Sequence, residues 1–110
     1  MTTTQATTTR FYVLRDSATA DREEDQAMAH VHIATTDTLE QAQKALVDYI
    51  EGEAAWLCTG RYRTANSLRR AADILDGIQA VSGMTPKANS RTSIRTANLV
   101  CTIAQDRKEA

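Results

Sequence analysis

The sequence predicts an α+β domain with the element order β-β-α-α-β, in which a helical hairpin packs on one face of a small, mostly antiparallel sheet. Three observations predict it. Short alternating or β-branched segments lie towards both ends of the chain, two longer segments with apolar residues at helical spacing lie between them, and the length of 110 residues suits one domain. We expect a single globular domain over residues 9–104, a disordered Thr-rich tail at 1–8 and a frayed charged tail at 105–110.

Three segments have the pattern of strands. In TRFYVLRD, residues 9–16, two apolar side chains face one way, Phe11 and Val13, and two face the other, Tyr12 and Leu14. AHVHIATT, residues 29–36, alternates in the same way, with both histidines on one face and, on the other, Ala29, Val31 and Ile33. Residues 91–104 fit both a strand and a helix by their spacing, and their threonine, isoleucine and valine content favours a strand.

Two helices are predicted between the second and third strands. The first begins at a capping box, formed either by Asp37 with Glu40 or by Thr38 with Gln41, and its buried stripe is Leu39, Ala42, Leu46, Tyr49/Ile50 and Leu57. The second is expected to open at Asn66 or Ser67 and to close at Gly83, with an inner face of Leu68, Ala71/Ala72, Leu75 and Ile78. The short link between them implies an antiparallel hairpin.

The composition indicates a folded chain with a thin core. Hydrophobic residues make up 42% of the chain, but alanine supplies 18 of them, and leucine, isoleucine, valine and phenylalanine together supply 19. The net charge of −1 argues against disorder. A core this thin leaves room for a contribution from a partner or a second copy, so a homodimer is one alternative.

Several protein classes are disfavoured by what the sequence lacks. It has no apolar run near the roughly 20 residues of a membrane span and no secretory signal, so we expect a cytoplasmic protein without a membrane partner. Cys58 and Cys101 are interpreted as two reduced thiols. GxSxG, GxGxxG, HExxH and P-loop motifs are absent, and no carboxylate pair is visible. We therefore expect a non-catalytic protein without a cofactor.

The two histidines and the single tryptophan each have two interpretations. On a strand, His30 and His32 would project from one face about 7 Å apart, which suits a metal, but a metal site needs a third ligand. Solvent-facing histidines are preferred, and no metal is predicted. Trp56 could anchor an interface, and packing in the core at the end of the first helix is the preferred interpretation.

Charge is divided unevenly along the chain. Residues 1–60 carry 4 basic and 10 acidic side chains, whereas residues 61–110 carry 9 basic and 4 acidic ones. Such polarity favours internal complementarity, self-association or a charged face for a partner. A second binding patch is predicted in the acidic loop, at Asp21, Glu23, Glu24 and Asp25.

The segment RYRTANSLRR, residues 61–70, is the first candidate site. Arg69 and Arg70 would occupy about the third and fourth positions of the second helix, where the helix dipole favours acids. Such a break in a local rule is expected at functional sites, and arginines around unpaired amides suit a phosphate or carboxylate. The predicted residues of this anion- or partner-binding site are Arg61, Tyr62, Arg63, Asn66, Arg69 and Arg70, with Tyr62 placed to stack on a base.

Two alternatives compete for the same segment. Asp73 lies four residues after Arg69 and three after Arg70, so both arginines could pair with it on a solvated helix face. A helix-turn-helix that presents Asn66, Ser67 and the two arginines to bases is a further alternative, which the flanking strands disfavour.

These observations favour a small non-catalytic binding protein that occludes a macromolecular partner, most simply a protein. A short chain of this character would suit a phage or mobile-element inhibitor of host nucleic-acid-handling machinery. The alternative is a DNA- or RNA-binding regulator that uses the arginines at 61–70, for which nucleic acid itself is the partner.

Overall fold

The structure, a computed structural model, describes residues 7–17, 31–59, 64–96 and 99–109. Its strands are β1 (Thr7–Ser17), β2 (Val31–Thr36), β3 (Arg91–Thr96) and β4 (Leu99–Glu109), and its helices are α1 (Leu39–Leu57), α2 (Ala65–Asp76) and the short α3 (Ile78–Val81). The α+β class and the element order are confirmed. The predicted last strand is in fact two strands, β3 and β4, paired antiparallel.

The four strands form one antiparallel sheet in the order β2-β1-β4-β3. Its helix-facing side carries the residues that the alternation of β1 predicts, because Phe11 and Val13 are buried. Val13 lies opposite Ile103 of β4, and Cys101 lies opposite Arg15, so the odd-numbered residues of both central strands face the helices.

A β-bulge modifies the predicted alternation of β2. Val13 pairs with Ala34 and Leu14 pairs with His32, so Ile33 is an extra residue in β2. Ile33 and Ala34 consequently both pack against the core. His32 lies on the opposite side of the sheet, where its ring is 6.4 Å from that of Tyr12.

The start of helix α1 agrees with one of the two predicted capping boxes, that of Thr38 with Gln41. The Thr38 hydroxyl accepts a hydrogen bond from the Gln41 amide (3.1 Å), and the Gln41 side chain accepts one from the Asp37 amide (3.3 Å). The helix then buries one side chain per turn, at Ala42, Leu46, Ile50 and Ala54. This stripe covers β1 and β2, and the opposite side of α1 is exposed.

Helix α2 begins earlier and ends earlier than predicted. Thr64 is its N-cap and forms a reciprocal capping box with Ser67, with bonds of 3.0 and 2.7 Å. The helix ends at Asp76, and Gly77 separates it from α3. The hydroxyl of Thr96 in β3 donates to the carbonyls of Asp73 (2.9 Å) and Ile74 (3.1 Å), which attaches the end of α2 to the sheet.

The predicted inner face of α2 is wrong in two positions. Ala71 and Ile74 are buried, whereas Leu68 and Leu75 are 39% and 42% exposed. The sequence contains two overlapping apolar series on this helix, and the one formed by Ala71, Ile74 and Ile78 faces the core. The core consists of Phe11, Val13, Ala42, Leu46, Ile50, Ile74, Val81, Met84, Leu99, Cys101 and Ile103.

The central strands extend beyond the predicted domain bounds at both ends. β1 begins at Thr7, which pairs with Glu109, so residues 105–109 are strand where a frayed tail was expected. The loop before β3 also holds this end of β4. The Arg107 amide donates to the Asn89 side chain (2.9 Å), and the Gln105 side chain donates to the Pro86 carbonyl (2.9 Å). Residues 1–6 and 110 lie outside the described residues.

Candidate binding surfaces

The predicted arginine site is described only in its second half. Arg61, Tyr62 and Arg63 lie outside the described residues. Arg69 and Arg70 are exposed and occupy the fifth and sixth positions of α2, because the helix begins at Ala65. They therefore follow the first turn, where the dipole effect is concentrated, and the expected break in the local charge rule does not occur.

Some backbone amides at the N-terminus of α2, which could bind an anion, already donate hydrogen bonds within the helix cap. A shallow depression is lined by Leu57, Thr64, Asn66, Ser67 and Arg70. The Ser67 amide already donates to Thr64, and the Thr64 amide donates to Ser67. Arg70 and Asn66 do lie together, so anion binding by these residues stays a prediction, with fewer amides to support it.

The predicted pairing of these arginines with Asp73 is not seen. No ion pair joins Arg69 or Arg70 to Asp73, although all three residues are described and exposed. The ion pair within α1 has the same spacing, with Lys44 Nζ 3.1 Å from a carboxylate oxygen of Asp48. The acidic patch at Asp21, Glu23, Glu24 and Asp25 lies outside the described residues.

The outward flank of α2 is apolar. Leu68, Ala72 and Leu75 follow one another at i, i+4 and i+7, and all three are exposed. Arg70 faces the end of α1 at Leu57, and at 100° per residue the two leucines lie roughly 150° round the helix from it. They therefore point away from α1. We call Leu68, Ala72 and Leu75 the α2 stripe.

Trp56 is 58% exposed, so the preferred interpretation as a core residue was wrong. The buried positions of α1 recur every four residues up to Ala54, and Trp56 lies two residues further on, about 200° round the helix from Ala54. Leu57, one residue later, is half-buried and packs against the core.

Charge separates by layer in the described structure. The strands carry six basic and three acidic residues, and the helices carry three basic and six acidic ones. The sequence shows an uneven charge distribution along the chain, but only the fold assigns opposite signs to the sheet and the helices. The exposed cations of the sheet include Arg10, Arg91, Arg95 and Lys108, which the sequence interpretation did not select. Arg91 and Arg95 carry a signal in the sequence, because residues four apart on a predicted strand share a face, whereas Lys108 falls in the predicted tail.

A half-buried arginine lies between the sheet and α1. The Arg15 guanidinium is 5.9 Å from the centre of the Tyr49 ring, and its Nε is buried without a hydrogen-bond partner. Burial raises the pKa of Tyr49 to about 12, helped by the negative charge of Glu53 and opposed by Arg15. Burial also raises the pKa of Cys101, to about 11, again against the effect of Arg15. Both groups are therefore neutral at physiological pH.

The remaining candidate residues are scattered. Cys58 is exposed and Cys101 is buried, and the His32 ring is 2.8 Å from the Thr35 hydroxyl. His30 lies outside the described residues. Within residues 7–17, 31–59, 64–96 and 99–109, no group of three histidine, cysteine or acidic residues could hold a metal ion. In the same ranges, no helix is long and apolar enough to cross a membrane.

Comparisons with known proteins do not supply a family for this chain. No protein-family model matches the sequence, and no curated protein and no solved structure matches it either.

Proposed function

We propose that the protein is a non-catalytic binding protein that occludes a partner protein, and that it does so through the α2 stripe. The observation that supports this proposal is the exposure of Leu68 and Leu75, at 39% and 42%. Scattered exposed apolar residues are ordinary on protein surfaces. Two leucines at i and i+7 with an alanine between them, however, form the anchor pattern with which a helix enters an apolar groove.

The geometry of α2 suits such an anchor. Its inner face is filled by Ala71 and Ile74, and its end is held to β3 by the Thr96 hydroxyl, so the helix is fixed before any partner binds. A preformed anchor avoids the entropic cost of ordering on binding. The two leucines are about 10 Å apart along the helix, which is the length of two turns.

The charges beside the stripe indicate what the groove would carry at its rim. Arg69 and Asp76 follow Leu68 and Leu75 by one residue each, which places these exposed charges about 100° round the helix from the leucines, beside the α2 stripe. A partner would present an apolar groove with an acidic group near Arg69 and a basic group near Asp76. In its narrower form, the proposal is an inhibitor that covers a surface of a protein that handles nucleic acid.

The test compares binding by matched variants. The wild-type chain, Leu68→Ser/Leu75→Ser and Arg70→Ala are used to capture proteins from the cells that carry the gene, and the captured protein is then purified and titrated. About 40% of each leucine remains to be buried, which is worth about 1 kcal/mol per leucine, so the double variant should weaken binding about 30-fold.

Arg70→Ala, on the other flank of the same helix, should bind like the wild type. The proposal fails if the leucine variant binds the captured protein as well as the wild type while both remain folded. It also fails if loss of Arg70 alone removes binding. The remaining alternative is that a second copy of the chain binds the α2 stripe. Light scattering on the pure protein tests this, because a dimer mass that the leucine variant reduces to a monomer mass would show that the stripe binds a second copy.

A further inference from the structure

The face of the sheet that points away from the helices has a composition of its own. Side chains alternate along a strand, and the odd-numbered residues of β1 and β4 face the helices. The even-numbered residues of these strands therefore lie on the other face. Because Ser93 of β3 pairs with Thr102, the odd-numbered residues of β3 join them. We call this surface the open face.

The centre of the open face is apolar and aromatic. Across the strands, Tyr12 is opposite Ala104, and the next row places Leu14 opposite Thr102. Tyr12, Leu14 and Ala104 are half-buried, and Thr102 is only 5% exposed. The Ser93 and Thr102 hydroxyls are 2.7 Å apart, so the central polar group is satisfied within the sheet. What remains outward here is weakly polar.

Cations border this centre at one end and along one edge. Arg10 and Lys108 lie at one end of the face, and Arg91 and Arg95 lie along the edge strand β3, about 13 Å apart. All four are exposed, and none of their side chains makes an ion pair with another described residue. The acids of this face among the described residues are Asp16 and Asp106, the latter opposite Arg10. Counted over the described strands, four basic and two acidic groups leave the open face positive on a chain whose net charge is −1.

Two aromatic rings lie on the same face. The rings of Tyr12 and His32 are 6.4 Å apart at a tilt of 49°, beside the Arg10 and Lys108 end. A depression lined by Thr8, Arg10, Tyr12, Asp106 and Lys108 brings a ring and two cations to one place. Base stacking on such rings is sequence-tolerant, because every base has a π-face.

We propose that the open face binds single-stranded nucleic acid, with bases on Tyr12 and the apolar centre and phosphates on Arg10, Lys108, Arg91 and Arg95. The ring at the centre favours a strand over an acidic protein, which would use the cations alone. A single strand is favoured over a duplex, since paired bases present no face for Tyr12 to stack on. This site lies on the sheet and includes neither the α2 stripe nor Arg69 and Arg70, so its failure and the failure of the proposed function are distinguishable.

The experiment uses fluorescence anisotropy with the full chain and a labelled oligothymidylate of about 12 nucleotides, with its oligouridylate counterpart and a duplex of the same length. Contact with four phosphates of a single strand predicts a log–log salt slope of about −3, so affinity should fall about 50-fold between roughly 50 and 200 mM salt. Arg10→Gln/Arg91→Gln should halve this slope. Arg69→Gln/Arg70→Gln removes the same charge from α2 and should leave both slope and affinity unchanged.

A second pair of variants tests the ring. Tyr12→Leu should weaken binding to the oligothymidylate about tenfold, and Tyr12→Phe, which keeps the ring, should bind like the wild type. Circular dichroism and denaturation midpoints show whether each variant is folded.

Three results would overturn the inference: no binding at low salt, loss of binding in the α2 variant to the same extent as in the open-face variant, or a duplex bound as tightly as the single strand. If polyglutamate displaces the oligothymidylate and Tyr12→Leu does not change the affinity, the face would be assigned to acidic proteins and the inference would be wrong.

Discussion

Replacing Gly77 by alanine should destabilise the protein, although alanine is the better helix former. A Cβ at position 77 would lie 2.7 Å from both Cβ and Oγ1 of Thr96 and 3.0 Å from its Cγ2. Thr96 is 4% exposed, and its hydroxyl donates to the carbonyls of Asp73 and Ile74. Since Cβ is among the clashing atoms, rotation of the side chain cannot relieve the contact, and the end of α2 has to move away from β3.

The magnitude follows from the packing. Forcing one methyl group into a filled contact costs about 2 kcal/mol, and weakening the Thr96 hydrogen bonds adds about 1 kcal/mol. The helix preference of alanine over glycine offsets about 1 kcal/mol. The expected net loss is about 2 kcal/mol of the free energy of unfolding, or a melting temperature lower by about 8 °C.

Gly52 provides the matched control. It lies in the middle of α1 and is exposed, and apart from its chain neighbours and the backbone of its own helix no atom lies within 4 Å of the position that a Cβ would occupy. Gly52→Ala should therefore raise the free energy of unfolding by about 1 kcal/mol. Urea denaturation of the two variants beside the wild type measures both changes. A Gly77→Ala variant as stable as the wild type would refute the close packing of α2 on β3, and a destabilised Gly52→Ala variant would refute the exposure of that face of α1.

Two further predictions concern the titratable groups. At pH 8, the exposed thiol of Cys58 should react rapidly with a thiol reagent in the native protein. The buried thiol of Cys101 should react only after unfolding, because its pKa is raised to about 11. Cys58→Ser should therefore leave no fast reaction, and a second fast-reacting thiol in the wild type would contradict the burial of Cys101. The free energy of unfolding should also fall at alkaline pH. The raised pKa values of Tyr49 and Cys101 mean that the folded state favours their neutral forms, so their contribution to stability is complete below about pH 9 and is lost as the pH rises through 11 and 12. Tyr49→Phe should flatten the upper part of that loss in a series of denaturation curves, and an unchanged profile would contradict the shift assigned to Tyr49.

Local chemistry was sufficient to predict most elements of the fold. Thr38 and Gln41 carry a cap signal that depends on residues three apart, and the stripe of α1 repeats every turn, so both are readable without knowledge of the rest of the chain. The burial of Phe11 and Val13 follows in the same way from alternation along β1. The division of residues 91–104 into two strands depends on pairing between them, which single-strand propensity does not reveal.

The candidate surfaces were harder to predict because they depend on how elements are rotated and paired. On α2, two apolar series overlap, and the contact of Thr96 with the end of the helix helps determine which one is exposed. Because α2 is capped by Thr64 and begins at Ala65, Arg69 and Arg70 lie beyond the first turn, where the helix dipole has little effect on them. Arg10 and Arg91 meet on one face only through the register of β1, β4 and β3, so sequence distance conceals their proximity.

The most direct test of the central claim is site-specific photo-crosslinking from the α2 stripe in the cells that carry the gene. A photo-reactive residue at position 75 should crosslink to one defined protein, and the same residue at position 70, on the opposite flank of α2, should not. Crosslinking to the same protein from both positions, or none from position 75 in a folded chain, would contradict a binding surface on this flank. A product of twice the mass of the chain would instead identify the occupant as a second copy.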